Sequence, residues 1–448
     1  MSLAEVPAEV RATLAELGGW NQAFLDHNAA ACPTPVELPS WPVFIAPGPL
    51  AELVQGAIAL TQLIKEVPRR VFRDDLTALA TFYGLPGPEL AALLLEEPTG
   101  IPGALARLDL LWGPSGPRVL EVNLGSLGGL EVTSTLPDYL ARPIFESFLS
   151  RQPGSPRSTE TLLALLDHVV ADTRAITGTA EGEWNVGFVV EAGSPYLTLD
   201  ERTLAPLRSH LASLLAAQAP PCRGTLVIAT PDTVRDDGTG LRLDGLAVRA
   251  LVELTPIDRH AAFRYWKGGR VTLYNGPVAT LLADKRNLAW LSELADGARL
   301  RPDEADLVRR FIPWTRTVRS GPVERAGRRF SLPEYVAANR EELVLKPARS
   351  GQGHGVTVGA GTSRDDWHRT LRTALGAGDW IVQERVVSKP YWGRVGDGWG
   401  PADIVWGVFV FGDRYGGTFL RALPSGTCSA INTSLGASEA FLLEEPPL

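Results

Sequence analysis

The chain has 448 residues, enough for two or three domains with sizeable cores. Hydrophobic residues at 45% and charged residues at 21% are the balance of a folded globular protein and exclude a disordered one. A net charge of −8 gives no positive field to draw phosphate backbones or anionic lipid, which argues against nucleic acid and membrane as partners and for small molecules.

The opening MSLAEVPAEVRATLAEL has acidic residues and helical periodicity where a signal peptide needs a basic start and an apolar run. No run of about 18 apolar residues occurs, so a cytoplasmic address is expected. Residues 1–100 form a helical N-terminal segment in this reading, with helices over 5–17, 49–66, 72–83 and 88–96. From 105 the period becomes two: ARLDLLW, GPSGP and RVLEVNL predict a β-hairpin. With its loop centred on Ser115, antiparallel pairing sets Asp109 opposite Glu121 and Arg107 opposite Asn123.

That hairpin opens a segment, 101–158, ending in the Pro-rich stretch SRQPGSPRST, which is expected to be a linker. Over 159–275, helices at 159–176 and 201–217 alternate with the apolar runs WNVGFVVEA and GTLVIATP, as in a parallel α/β layer; YWKGGRVTLYN resembles a short hairpin. Over 276–448 a helix at 276–297 is followed by ELVLKPARSGQGHGVTVG (strand, glycine loop, strand), a helix at 363–376, the strand DWIVQERVV, and two strands around GDRYGG. Cys32, Cys222 and Cys428 are too far apart for a disulfide framework or zinc site, and the six histidines show no metal or triad spacing.

Facing carboxylates at Asp109 and Glu121 repel unless a cation intervenes, and with the Asn123 amide they form a hard-oxygen set suited to Mg²⁺, with Arg107 beside them for phosphate. The competing reading is the solvated face of an amphipathic hairpin. Gly351, Gly353 and Gly355 leave backbone amides free to approach phosphate, with Lys346 supplying a point charge; a plain glycine hairpin would look the same. Only five of the 43 basic residues are lysine, which makes Lys285 and Lys346 notable.

The order R-x-D-(x11)-E-x-N, x-x-K-x-x-L, V-L-K-P-x-x-S-G-x-G-x-G-V, I-V-Q-E and a strand arginine followed by I-N-T-S resembles the circularly permuted ATP-grasp ligases, in particular the synthetase domain of glutathionylspermidine synthase. The resemblance runs from about residue 100 to 435. It implies a mixed α/β fold, ATP-grasp-like and permuted: residues 101–158 pack into the core, 159–275 form a preATP-grasp-like domain, and 276–448 supply lid and core. It further implies that Asp109, Glu121 and Asn123 bind Mg²⁺. Arg107 would contact nucleotide phosphates or an acyl phosphate, Arg421 the transferring phosphoryl, and Lys285 and Lys346 the phosphates of ATP. The 351–355 loop would close as a lid, and Gln383, Glu384 and Val386 would line the adenine pocket.

The implied activity is ATP- and Mg-dependent joining of a carboxylate to an amine. A phosphotransferase making a stable phosphorylated product, or a non-catalytic nucleotide-binding protein, are the rival readings. The first hundred residues carry no Cys-His signature of the kind the family's amidase domain uses, and LGSLGGLEVTS replaces a more polar substrate-binding stretch.

Overall fold

The computed structural model describes residues 6–31, 42–88, 91–92, 105–124, 127–178, 183–255, 265–266, 268–275, 281–325, 327–351, 353–395, 398–427 and 430–446. They form a mixed α/β protein with twelve α-helices and a helical N-terminal segment. Helices α1 (Ala8–Leu17) and α2 (Gly19–Ala31) lead to a short strand β1 (Val43–Ile45), then α3 (Pro47–Phe72) and α4 (Leu76–Tyr83). In α3, Leu53, Ala57, Leu60, Ile64 and Val67 recur three or four residues apart and are all buried, so one stripe of the helix faces the core. Asp75 caps α4 by accepting from the Ala78 amide at 2.9 Å. The helix expected at 88–96 lies largely outside the described residues.

Strands β2 (Leu105–Gly113) and β3 (Gly116–Leu124) form the expected hairpin, with a two-residue turn at Pro114–Ser115. Pairing starts as Trp112 with Pro117 and Leu110 with Val119, a register that would miss the one expected. A bulge at Leu120 adds one residue to β3 and restores Asp109 opposite Glu121 and Arg107 opposite Asn123. The helices α5 (Leu136–Leu140), α6 (Pro143–Leu149) and α7 (Thr161–Thr177) follow. The stretch expected to be a linker is tied down, because Arg157 and Glu444 exchange backbone hydrogen bonds of 2.9 and 2.7 Å.

The next layer has β4 (Asn185–Val189), α8 (Glu201–Ala216), β5 (Leu226–Ala229), β6 (Val234–Asp236), β7 (Leu241–Leu243), β8 (Leu246–Glu253) and β9 (Thr272–Tyr274). Its pairs β4–β5, β4–β8 and β8–β9 are parallel, as the alternation of helices with apolar runs predicts. One expectation is corrected here. Residues 271–275 do not close a local hairpin; β9 instead adds beside β8, because Leu273 and Tyr274 are apolar enough to be buried in the layer.

A second layer is built from α9 (Arg286–Asp296), α10 (Pro302–Phe311), β10 (Thr315–Thr317), β11 (Pro322–Arg325), β12 (Arg328–Ser331), α11 (Leu332–Ala338), β13 (Leu343–Pro347), β14 (Thr357–Val358), α12 (Arg364–Ala377) and β15 (Trp380–Glu384). The helix expected over 276–297 is interrupted: Leu281 and Leu282 are helical, the chain turns over 283–285, where Asp284 accepts from the Arg286 amide, and α9 starts at Arg286; residues 276–280 lie outside the described set. Strands β10, β15, β13 and β14 form a four-stranded sheet over its own core of Trp367, Leu332 and Val336.

Finally β16 (Tyr391–Val395), β17 (Gly398–Phe411), β18 (Arg414–Pro424) and β19 (Ser438–Glu444) join strands from far back in the chain. The result is a seven-stranded sheet ordered β1-β19-β18-β17-β2-β3, with β16 on β17. No helix among the described residues is long and apolar enough to cross a membrane.

Candidate functional site

Side chains alternate across a sheet, so the register fixes which residues share a face. Asp109 pairs with Glu121 on one side and Gly407 on the other, Gly407 with Phe419, Leu111 with Val405, Val405 with Arg421, and Arg421 with Glu439. One face of the seven-stranded sheet therefore carries Glu121, Asn123, Arg107, Asp109 and Arg421 together. The opposite face presents Leu108, Leu110, Trp406, Val408 and Leu420, all buried. Arg107 and Asp109 are only 8% and 3% exposed, which rules out the solvated-hairpin reading.

Buried charges need partners. Arg107 grips Asp109 with two hydrogen bonds, Nε to Oδ1 at 2.8 Å and an Nη to Oδ2 at 2.9 Å, and gives a third at 2.6 Å to the Gly128 carbonyl. Asn123 donates to Asp109 at 3.1 Å, and an Nη of Arg421 lies 2.7 Å from the same carboxylate. This Nη thus has Asp109 as its partner, and the Nε of Arg421 is the buried donor left without one. Burial pushes the Asp109 carboxyl up, but the guanidinium groups of Arg107 and Arg421 outweigh it and hold the group well below the usual carboxylate range.

Two lysines reach the same patch from the other layer. Lys285, at the N-cap of α9, sits 3.2 Å from Glu121 and donates to the Ser350 carbonyl at 2.5 Å, while its own amide donates to Ala348. Lys346 on β13 donates to Gln383 at 2.7 Å and to the Leu120 carbonyl at 3.3 Å, so the bulge that sets the register also turns a carbonyl toward the lysine. Burial drives the Lys346 ammonium down to about 8, with Glu121 opposing and Lys285 adding to the shift.

Two cavities meet at this patch. One of about 560 Å³ runs from Asp109, Glu121, Lys346 and Gln383 to the apolar Val344, Val358, Val386 and Val387. The other, about 740 Å³, is lined by Arg107, Asn123, Lys285, Arg349, His354 and Glu439. They share Glu121, Arg421 and Asn432.

The structure thus gathers twelve of the thirteen residues singled out from sequence, all but Gly355, around one double cavity. Gly351 lines the second cavity and Gly353 the first, with Gly353 in the left-handed region, where a Cβ would come within 2.9 Å of Ala430; Gly355 instead packs on Pro347. Gln383 is turned by Thr315, which accepts from its amide at 3.2 Å, and the Glu384 side chain is taken up by Arg325 at 2.5 Å. The Glu384 and Arg385 amides are spent on Trp314 and Glu342, so the open apolar end of this cavity begins at Val386.

Several residues were not foreseen. Asp284, 1% exposed, binds Arg286 at 2.6 Å and Arg349 at 3.3 Å and so fixes both Lys285 and the start of the glycine loop. Nothing in the sequence marks it beyond the adjacency D-K-R. Glu439 is set by the pairing of β19 with β18, a register the sequence does not disclose, and burial raises its carboxyl, helped by Glu131.

Two carboxylates and an amide oxygen are hard donors of the kind a divalent ion takes together with phosphate and water, but both Asp109 oxygens are engaged by Arg107, Asn123 and Arg421, so Asp109 would reach an ion only by giving up one of these contacts. Among solved structures the chain is similar to a glutathione synthetase-like effector from Globodera pallida in its apo form, with a TM-score of 0.52 at 13% identity, covering 98% of this chain and 99% of that one. A protein described as a candidate γ-glutamylcysteine synthetase from Methylobacillus flagellatus gives a TM-score of 0.40 at 13% identity over 82% of this chain and 83% of that one. No family model and no curated protein matches the sequence.

Proposed function

We propose that the protein is an ATP- and Mg²⁺-dependent ligase that joins a carboxylate to an amine through an acyl phosphate, on a circularly permuted ATP-grasp framework. In this reading 1–100 is an accessory helical segment, 101–158 carries the metal-binding hairpin, 159–275 is a preATP-grasp-like domain, and 276–448 forms lid and core. One observation carries it. An elongated cavity with an apolar end and a second, cation-lined cavity meet at Glu121 and Arg421, so a phosphoryl group delivered from the first would face an acceptor held in the second.

Lys346 and Lys285 would hold the nucleotide's phosphates, and Asp109, Glu121 and Asn123 would hold Mg²⁺, which when bound neutralises phosphate charge. The substrate carboxylate attacks the γ-phosphorus, the bond to the β-phosphate oxygen breaks, and ADP leaves. Arg421, whose buried Nε lacks a partner, is placed for the charge that spreads over the transferring group. The amine then attacks the acyl carbon, inorganic phosphate departs, and the nitrogen loses a proton. Positioning and charge suffice for the first step, so no nucleophilic side chain is needed. Loop 351–355 would shield the acyl phosphate from water.

The test is a panel of carboxylates and amines screened for substrate-dependent ADP release, with mass spectrometry of the products. ADP and phosphate formed only when both partners are present support the ligase. ADP formed with a carboxylate or alcohol alone and a stable phosphorylated product would support phosphotransfer instead. Asp109→Asn or Glu121→Gln is expected to remove the Mg-dependent turnover, and unchanged turnover in both would end the metal assignment.

A further inference from the structure

The four-stranded sheet with its own core is joined to the rest of the molecule at two places. One is short: Phe311 and Ile312 belong to the main core, and Trp314 already belongs to the smaller one. Arg118 of β3 pins it by donating to the carbonyls of Arg309, Arg310 and Ile312 at 2.6, 2.9 and 3.2 Å. The other runs from Val382 in the smaller core to Tyr391 in the main one, and its residues 385–390 form no regular element. This second connector is also the wall of the apolar end of the first cavity, which Arg385, Val386, Val387, Ser388 and Pro390 all line. Its anchorage therefore bears on what the cavity can hold.

The connector is tied at both ends. The Arg385 amide donates to the Glu342 carbonyl, and the Lys389 amide donates to the Trp112 carbonyl at 2.7 Å. Trp112 lies on β2, the strand of Arg107 and Asp109, and a Cβ on its neighbour Gly113 would lie 3.4 Å from a Val386 methyl. The apolar wall is thus held against the strand that carries the buried charges.

What secures that second tie comes from the far end of the sequence. Helix α1 buries Val10, Leu14 and Leu17 in the main core, which leaves Glu9 and Glu16, two turns or about 10 Å apart, on another side. Glu9 lines the first cavity. Glu16 pairs with the Lys389 ammonium and accepts from the Trp112 indole at 3.4 Å, so one carboxylate holds both partners of the Trp112–Lys389 contact. Two residues further on, the Tyr391 hydroxyl donates to the Pro42 carbonyl at 2.7 Å, a second hold by the same N-terminal segment.

We propose that the N-terminal helical segment clamps the nucleotide site: Glu16 and Lys389 are positioning residues that hold connector 385–390 against β2 and so set the affinity of the cavity it walls. Neither residue lines the cavity, so they act through the connector. The effect on affinity rests on the nucleotide site proposed above, whereas the anchorage does not.

The full chain is compared with Glu16→Gln, Lys389→Gln and Lys389→Arg in two readouts: deuterium uptake by the peptide covering 385–391, and calorimetric titration with Mg-ATP. Glu16→Gln and Lys389→Gln are expected to speed uptake severalfold and to weaken Mg-ATP about three- to fivefold, the scale of a partly exposed ion pair. Lys389→Arg keeps the charge and should stay within about twofold of wild type in both. In turnover the loss should appear in KM, with kcat within about twofold. Uptake unchanged in both neutral variants overturns the clamp. Faster uptake with Mg-ATP affinity unchanged, or Lys389→Arg as weak as Lys389→Gln, overturns the positioning role and leaves the nucleotide site standing. A wild type that does not bind Mg-ATP overturns the nucleotide site and the effect on affinity with it, while faster uptake in the neutral variants would still support the anchorage.

Discussion

Asp109 and Asp284 invite comparison. Each is a carboxylate almost wholly buried, each is gripped by an arginine two residues away in sequence, and each has a second arginine from a distant segment: Arg107 and Arg421 for the first, Arg286 and Arg349 for the second. Around Asp284 the hydrogen bonding closes. Arg286 spends its donors on both carboxylate oxygens and on the Phe82 carbonyl at 2.6 Å, and its guanidinium carbon sits over the Phe82 ring, 3.9 Å from the centroid. Around Asp109 it stays open, because Arg421 is 3% exposed yet keeps its Nε without a partner. The same charge motif builds structure in one place and holds unspent electrostatics over a cavity in the other; the difference is the unpaired Nε of Arg421.

The sharpest way to break this comparison is to remove one member of each cluster. Asp284→Asn leaves Arg286 buried beside a neutral partner, and a loss of about 3–5 kcal/mol is expected in urea unfolding. Arg421→Met leaves Asp109 with both of its hydrogen bonds from Arg107, so stability should fall by less than about 2 kcal/mol. Its ADP formation should nevertheless fall about 10²–10³-fold, as when a donor to the transition-state charge is removed. Equal stability losses in the two variants, with activity intact in Arg421→Met, would show that both clusters are merely structural.

The next effect belongs to Lys346, which burial holds near 8 while it would titrate near 10.5 in the unfolded chain. Between these values the unfolded state binds the extra proton, so stability rises with pH across the window. The penalty is fully present below about pH 8 and is of the order of 3 kcal/mol. The stability difference between Lys346→Met and wild type should therefore shrink as pH is raised from 8 toward 10.5. Mg-ATP affinity should move the other way, falling above pH 8 as the ammonium is lost, and lying flat in the variant.

How much of this was legible in sequence depends on the range of the interaction. The hairpin was, because Gly and Pro mark its turn and polar residues alternate with leucines; yet the register at Asp109 is right only because of a bulge at Leu120 that no residue type announces. Lys285, Lys346 and Gln383 were visible as motif positions, though not that Thr315 and Ser350 hold them. Pairing of β1 with β19, nearly 400 residues apart, leaves no local trace in a three-residue strand. Asp284 reads as the polar start of a helix, because what defines it is contributed by other segments.

The smallest effect sharpens the comparison at its glycines. Gly84 ends α4 in the left-handed region against Arg349, on the closed side, where a Cβ would lie 3.0 Å from the guanidinium; Gly353 adopts a similar φ on the open side, against Ala430. Alanine at either position should cost about 1 kcal/mol of stability from backbone strain alone. The side on which ligand would bind decides what else changes. Gly84→Ala pushes on an arginine already committed to Asp284, and its nucleotide affinity should stay within about twofold of wild type. Gly353→Ala stiffens the loop over the cavity and crowds Ala430, so its nucleotide association rate should drop severalfold, as stopped-flow binding would read. An association rate that falls equally in both variants would mean that the loop moves as one body with the Asp284 cluster, and that the open and closed clusters are mechanically a single unit.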